Sequence, residues 1–152
     1  MRKDTRPQEQ GRLLGIDLGA KRVGVAVTDE SRTSLRPLPF LRRSNWKRLL
    51  EEIGGLCREF DVKGLVVGLP LRLDGAEGEA AAEARRIARN LRLSLGLPVY
   101  LQDERLTSRA ADDNLRDEGL NTRERNVRVD GEAAALILSD FLSGSESPEH
   151  GG

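Results

Sequence analysis

The stretch Leu13-Leu14-Gly15-Ile16-Asp17-Leu18-Gly19-Ala20-Lys21-Arg22-Val23-Gly24-Val25-Ala26-Val27 holds two short apolar runs separated by Gly19 to Arg22, and it predicts a tight antiparallel hairpin. Side chains alternate along a strand, so Leu14, Ile16 and Leu18 share one face while Gly15, Asp17 and Gly19 share the other. In the second run Val23, Val25 and Val27 oppose Gly24, Ala26 and Thr28, a small face that a helix can approach closely. Asp17 is then a carboxylate in an apolar strand with glycine on either side. Glycine weakens a strand, and its usual justification is the close approach of a ligand or another backbone. The pattern therefore points to a site for a cation or a phosphate. The purely structural alternative is an Asp that caps the turn after the strand.

Downstream, Leu35 to Leu41 is interrupted by Pro37 and Pro39 and reads as an edge strand, because proline cannot donate to a ladder. Ser44 is read as the cap of a helix with apolar residues at Trp46, Leu49, Leu50, Ile53, Leu56, Cys57 and Phe60. Leu65 to Leu69, ended by Pro70, is a continuous apolar run of the kind found in a parallel strand covered on both faces. A second helix spans Glu79 to Leu95 and stops at Gly96 and Pro98, and Val99-Tyr100-Leu101 is the next strand. Thr107 or Ser108 caps a shorter helix to about Asp117, Gly119 to Val129 is an Arg-rich loop, and Asp130 opens a last helix through Leu142. The expectation is an α/β domain with a mixed five-stranded sheet, three antiparallel strands then two parallel ones, and helices on both faces. It occupies residues 12–142, between polar tails 1–11 and 143–152.

Composition narrows the chemistry. The 152 residues suit one domain, and 25 Lys+Arg against 25 Asp+Glu give a formal net charge of +0, so any polyanion is met by a local patch. One cysteine excludes an intrachain disulfide and a thiolate zinc cluster, and one histidine excludes a His-based triad. Catalysis is left to carboxylates, hydroxyls, Lys/Arg and a hard cation held by oxygen. No apolar run has membrane-spanning length, and the expected home is the cytoplasm.

Two further carboxylates resemble Asp17 in setting. Glu104 ends a strand, where open α/β sheets place their ligands, and Asp130 shares a helical stripe with Ala133, Ala134, Ile137 and Phe141. Taken singly, Glu104 is also explained as a partner of Arg105 or a cap of the Thr107 turn, and Asp130 as an N-cap. Jointly, three isolated acids make sense if they hold divalent cations, with Mg²⁺ or Mn²⁺ activating water against a phosphodiester.

Gly15-Ile16-Asp17-Leu18-Gly19-Ala20-Lys21-Arg22-Val23-Gly24-Val25-Ala26-Val27, Val67-Gly68-Leu69-Pro70-Leu71 with Asp74-Gly75, Asp103-Glu104-Arg105-Leu106-Thr107-Ser108, and Val129-Asp130 before Ala133-Ala134 resemble the four signature blocks of the bacterial YqgF (RuvX) family. The resemblance implies the RNase H-like fold of the RuvC resolvases and a metal-dependent nuclease. It would trim the 5′ end of pre-16S rRNA in ribosome biogenesis or, alternatively, resolve Holliday junctions. It also implies that Asp17, Glu104 and Asp130 are the catalytic and metal-holding triad, with Mg²⁺ or Mn²⁺ as cofactor. Lys21, Arg22, Arg105, Thr107, Ser108, Arg125 and Arg128 are the expected substrate contacts. The implied partners are pre-16S rRNA or branched DNA and ribosomal particles, with no membrane; the protein would act as a monomer or homodimer.

Two rival readings follow from the same residues. Gly-Ile-Asp-Leu-Gly before a hairpin also opens actin-like ATPase domains, which need two lobes where this length provides one. A non-catalytic ribosome-assembly or transcription factor would use only the Arg patches, and retention of three acids argues against it, because lone carboxylates repel phosphates. Asp74 and Glu77, in the loop before the second helix, are read as complementing its N-terminal dipole rather than as metal ligands.

Overall fold

The computed structural model describes residues 10–71, 74–104 and 122–144, with only the backbone for 122–130. The expected Leu13–Val27 hairpin forms: β1 (Arg12–Leu18) pairs antiparallel with β2 (Arg22–Thr28), setting Leu14 opposite Val27 and Leu18 opposite Val23. Strand β3 (Leu35–Arg42) adds antiparallel to β2 as an edge, its two prolines placed where no further ladder is needed. Strand β4 (Val62–Leu69) pairs parallel with β1, and β5 (Val99–Asp103) pairs parallel with β4, giving the order β3-β2-β1-β4-β5.

Helices cover both faces. Helix α1 (Trp46–Glu59) and helix α2 (Glu79–Leu95) pack on the face carrying Leu14, Ile16, Val25, Leu65 and Val67. The cap of α1 is Asn45 rather than Ser44: the Asn45 side chain accepts the Arg48 backbone N–H at 2.9 Å. Leu49, Ile53 and Cys57 of the expected stripe are buried, whereas Trp46 at its head is 36 % exposed. Helix α2 ends as read, on Gly96 in the left-handed region with φ +70°.

Helix α3 (Thr122–Gly144) covers the other face, where Leu13, Ala26 and Val66 meet Ala134, Ile137 and Leu138. Its start corrects the sequence reading, which put a loop at Gly119 to Val129 and the helix start at Asp130. From Thr122 to Val129 the chain has no Pro or Gly and holds three Arg and one Glu, so nothing local stops the helix from beginning earlier. Arg125 and Arg128 thus belong to the first turns of α3 rather than to a loop. The shorter helix expected from Thr107 or Ser108 to Asp117 lies outside the described residues, as do most of both expected tails.

Helix α3 and the sheet approach closely because β1 and β4 carry glycines on that face. A Cβ on Gly15 would stand 2.8 Å from the Ala134 carbonyl oxygen and 2.7 Å from Leu138 Cγ. Gly15 therefore serves the approach of a helix backbone, one of the two reasons a strand accepts glycine. Tyr100 of β5 extends the same layer, its ring centroid 5.1 Å from that of Phe141.

Candidate functional site

Asp17 lies on the α3 face of β1, two residues beyond Gly15, and is half-buried. Across the sheet it is paired with Gly24 of β2. On the other side Ile16 stands opposite Val67, so the next row sets Asp17 beside Gly68 of β4. Adjacent strands run about 4.8 Å apart, and residues directly opposite present their side chains to the same face. Asp17 is thus flanked by glycine across the strands as well as near it along the chain, and no neighbouring side chain fills the space around its carboxylate from Gly24 or Gly68.

Glu104 enters that space from β5. Its backbone N–H donates to the Leu69 carbonyl at 3.1 Å, extending the β4–β5 ladder by one residue past Asp103. A Cβ on Gly68 would lie 2.6 Å from Glu104 Oε2 and 2.8 Å from Glu104 Cδ, so the carboxyl group rests on the bare Gly68 backbone. Ile137 Cδ1 of α3 would also be 2.6 Å from that Cβ, which places the acid against an apolar helix side chain. Glu104 is only 5 % exposed. A carboxylate in such surroundings is costly unless cations or hydrogen-bond donors compensate it. Two acids from β1 and β5 therefore converge over one glycine of β4, at the carboxyl ends of the parallel strands.

The third expected acid, Asp130, is on α3 four residues before Ala134, the residue whose carbonyl faces Gly15. Its side chain lies outside the described residues. Among the described residues no group of three or more His, Cys, Asp or Glu side chains is gathered as for a metal. The Asp17 and Glu104 pair is what the structure brings together, and its hard oxygen donors fit Mg²⁺ or Mn²⁺.

Of the expected substrate contacts, Lys21 is exposed on the β1–β2 turn, and the Arg22 guanidinium lies 4.9 Å from the Phe40 ring centroid. Arg105, Thr107 and Ser108 fall outside the described residues, and the side chains of Arg125 and Arg128 are likewise not described. Asp74 and Glu77 are turned to local work. Asp74 Oδ1 accepts the Ala76 N–H at 2.9 Å, while Glu77 pairs with Arg85 at 2.6 Å and bridges to Leu71 across the loop. The Arg85 hydrogen bond lowers the Glu77 carboxyl below its ordinary range.

One residue that the sequence reading passed over is Arg43, at the end of β3. Its backbone N–H donates to the Lys21 carbonyl at 3.0 Å, and its Nη1 donates to the Gly19 carbonyl at 2.7 Å. The other guanidinium nitrogen meets Glu83 of α2 at 2.5 Å. Arg43 thus fastens the turn that follows Asp17 to α2. Nothing in its spacing announces this, because its partners lie 24 and 40 residues away.

Residues 11–144 match the RuvX family, described as Holliday junction resolvase. A protein of Anaeromyxobacter sp. (strain Fw109-5), named "Putative pre-16S rRNA nuclease", is 44 % identical over 133 residues, covering 88 % of this chain and 97 % of the relative. One of the same name from Syntrophus aciditrophicus (strain SB) is 42 % identical, covering 86 % of this chain and 87 % of the relative. The fold is similar to that of Thermus thermophilus RuvC, with a TM-score of 0.52 at 17 % identity, covering 91 % of this chain and 99 % of that one. It is also similar to T. thermophilus RuvC in complex with Holliday junction substrate, at a TM-score of 0.52 and 16 % identity, covering 88 % of this chain and 96 % of that one.

Proposed function

The chain belongs to the RuvX family, and from that premise we propose that it is a divalent-metal-dependent nuclease that hydrolyses phosphodiester bonds in structured nucleic acid. The observation that carries the proposal is the Glu104 carboxylate, 5 % exposed, lying on the bare backbone of Gly68 beside Asp17. Sequestered acids of this kind serve a cation better than they serve folding.

Asp17 and Glu104 would hold the ion, with Asp130 as the third ligand. When bound, Mg²⁺ or Mn²⁺ supplies positive charge at the phosphate oxygens and lowers the pKa of a coordinated water. The chain's own residues do the rest. The carboxylates orient the attack, in which a P–O bond forms to water and the P–O bond to the leaving sugar oxygen breaks. Lys21 and Arg22, on the turn beside Asp17, neutralise the flanking phosphates and fix the strand's register. Glu104 is positioned against the β4 backbone at Gly68, on the side where Ile137 of α3 also lies.

The proposed substrate is the 5′ end of pre-16S rRNA, the reading supported by relatives above 40 % identity. Branched DNA is the second reading, favoured by the family's description. Purified protein with Mg²⁺ or Mn²⁺, offered a pre-16S rRNA fragment and a four-way DNA junction side by side, tests both. The expected result is cleavage of the RNA that Asp17→Asn abolishes and Glu104→Gln slows by orders of magnitude. Cleavage of neither substrate would overturn the proposal.

A further inference from the structure

The face of the sheet opposite α3 carries a cleft that the carboxylate site does not use. It encloses about 340 Å³ between the start of α1 and the middle of α2. Its floor is apolar, formed by the buried Leu49 and Ile87, and its wall is Trp46, the only tryptophan in the chain. Trp46 lies three residues before Leu49 and heads the apolar stripe of α1, yet it is 36 % exposed. The rim is polar, with Arg43, Glu83, Arg86 and Asn90. An apolar floor, one aromatic wall and a few convergent polar groups make a pocket for a flat heterocycle with hydrogen-bonding edges.

Charge and position identify the occupant further. Two guanidiniums share one carboxylate, since Glu83 lies 2.5 Å from Arg43 and 3.9 Å from Arg86, so the lining is net positive. Arg43 lines the cleft and also donates to the Gly19 carbonyl, two residues past Asp17. Arg43 therefore ties the lining of the cleft to the turn that follows Asp17, with the cleft on one face of the sheet and the carboxylates on the other. We propose that this cleft binds one unpaired nucleobase of the substrate strand, stacked on Trp46 beside Ile87, with Arg86 and Asn90 at its edge. This rests on the nuclease reading and deepens it by assigning a single-stranded segment to the substrate. With aromatics at 3 % of the chain, one stacked base is what the composition supports, while the backbone supplies the remaining contacts.

The sole tryptophan makes the test direct. The full-length protein in EDTA, where no cleavage occurs, is titrated with a short single-stranded oligoribonucleotide and with an abasic oligomer of equal length and charge. The expected result is saturable quenching of Trp46 fluorescence by the first and little by the second. By anisotropy of a labelled oligomer, Trp46→Ala should bind about tenfold more weakly, the loss of one stacked base, and Trp46→Phe should bind nearly as wild type. Equal binding of the abasic oligomer, or no loss in Trp46→Ala, would overturn the assignment, and a protein side chain would then be the better occupant. Because this arm reads binding without cleavage, it fails separately from the nuclease reading. Quenching by a protein that cleaves nothing supports the cleft and sinks the nuclease, whereas cleavage with KM unchanged in Trp46→Ala does the reverse.

Discussion

Gly68→Ala adds one methyl group at the point where the candidate site is tightest. The new Cβ would stand 2.6 Å from Glu104 Oε2 and 2.6 Å from Ile137 Cδ1, whereas ordinary contact begins at 3.4 Å. The carboxylate, or the helix behind it, must give by about 0.8 Å, the shortfall between those two distances. Overpacking of this kind costs roughly 1–3 kcal/mol, which for a domain of this size lowers the melting temperature by about 2–12 °C. The rate should fall further than stability does, because misplacing a reacting group by about 1 Å costs on the order of 100-fold. Initial cleavage rates at saturating Mg²⁺, measured well below the melting temperature, separate the two effects. Gly64→Ala in the same strand is the control, since its Cβ would meet Leu13 Cδ2 at 3.1 Å, Tyr100 at 3.5 Å and the Pro98 carbonyl oxygen at 3.6 Å, and no group of the site; it should cleave within a few-fold of wild type. The double variant Gly68→Ala/Glu104→Gln should be no slower than Glu104→Gln alone, because the methyl group acts through that carboxylate. A folded Gly68→Ala protein that cleaves at the wild-type rate would refute the placement of Glu104 in the site.

Asp17→Asn should abolish cleavage while leaving the melting temperature in EDTA unchanged or slightly raised, since it removes one charge from converging acids; full activity in this variant would sink the metal-site assignment. Asp74→Asn and Glu77→Gln should change the rate only mildly, because both acids are spent on the loop and on Arg85, and a dead Asp74→Asn enzyme would move the chemistry to the loop after Pro70. Cleavage should need millimolar Mg²⁺ or less Mn²⁺ and stop in excess EDTA; activity persisting in EDTA would contradict the mechanism. Burial pushes the Cys57 thiol up to about 11 from an ordinary 9.0, so its neutral form contributes stability below about pH 9 that is lost as pH rises through about 11. The melting temperature of wild type should therefore fall more steeply than that of Cys57→Ala across that window, and parallel curves would show that the thiol does not titrate as its burial requires.

The amino-acid sequence alone determined the alternation that puts Asp17 on the small-residue face of β1, the edge position of the proline-bearing strand, the interior place of Leu65 to Leu69 and the stop of α2 at Gly96. These depend on periodicity and backbone conformation within a few residues, which side-chain volume and φ preferences fix locally. It also marked Asp17 and Glu104, because a carboxylate in an apolar strand is anomalous without reference to anything distant. The tertiary structure decided what no local pattern holds. Parallel pairing of β1 with β4 set Gly68 beside Asp17 and under Glu104, and long-range packing placed Gly15 against Ala134. The early start of α3, the Asn45 cap and the exposure of Trp46 depend on what each segment packs against. Arg43 joins the turn after Asp17 to a helix 40 residues further on, and a contact across that separation leaves no trace in spacing because only the folded sheet brings its ends together.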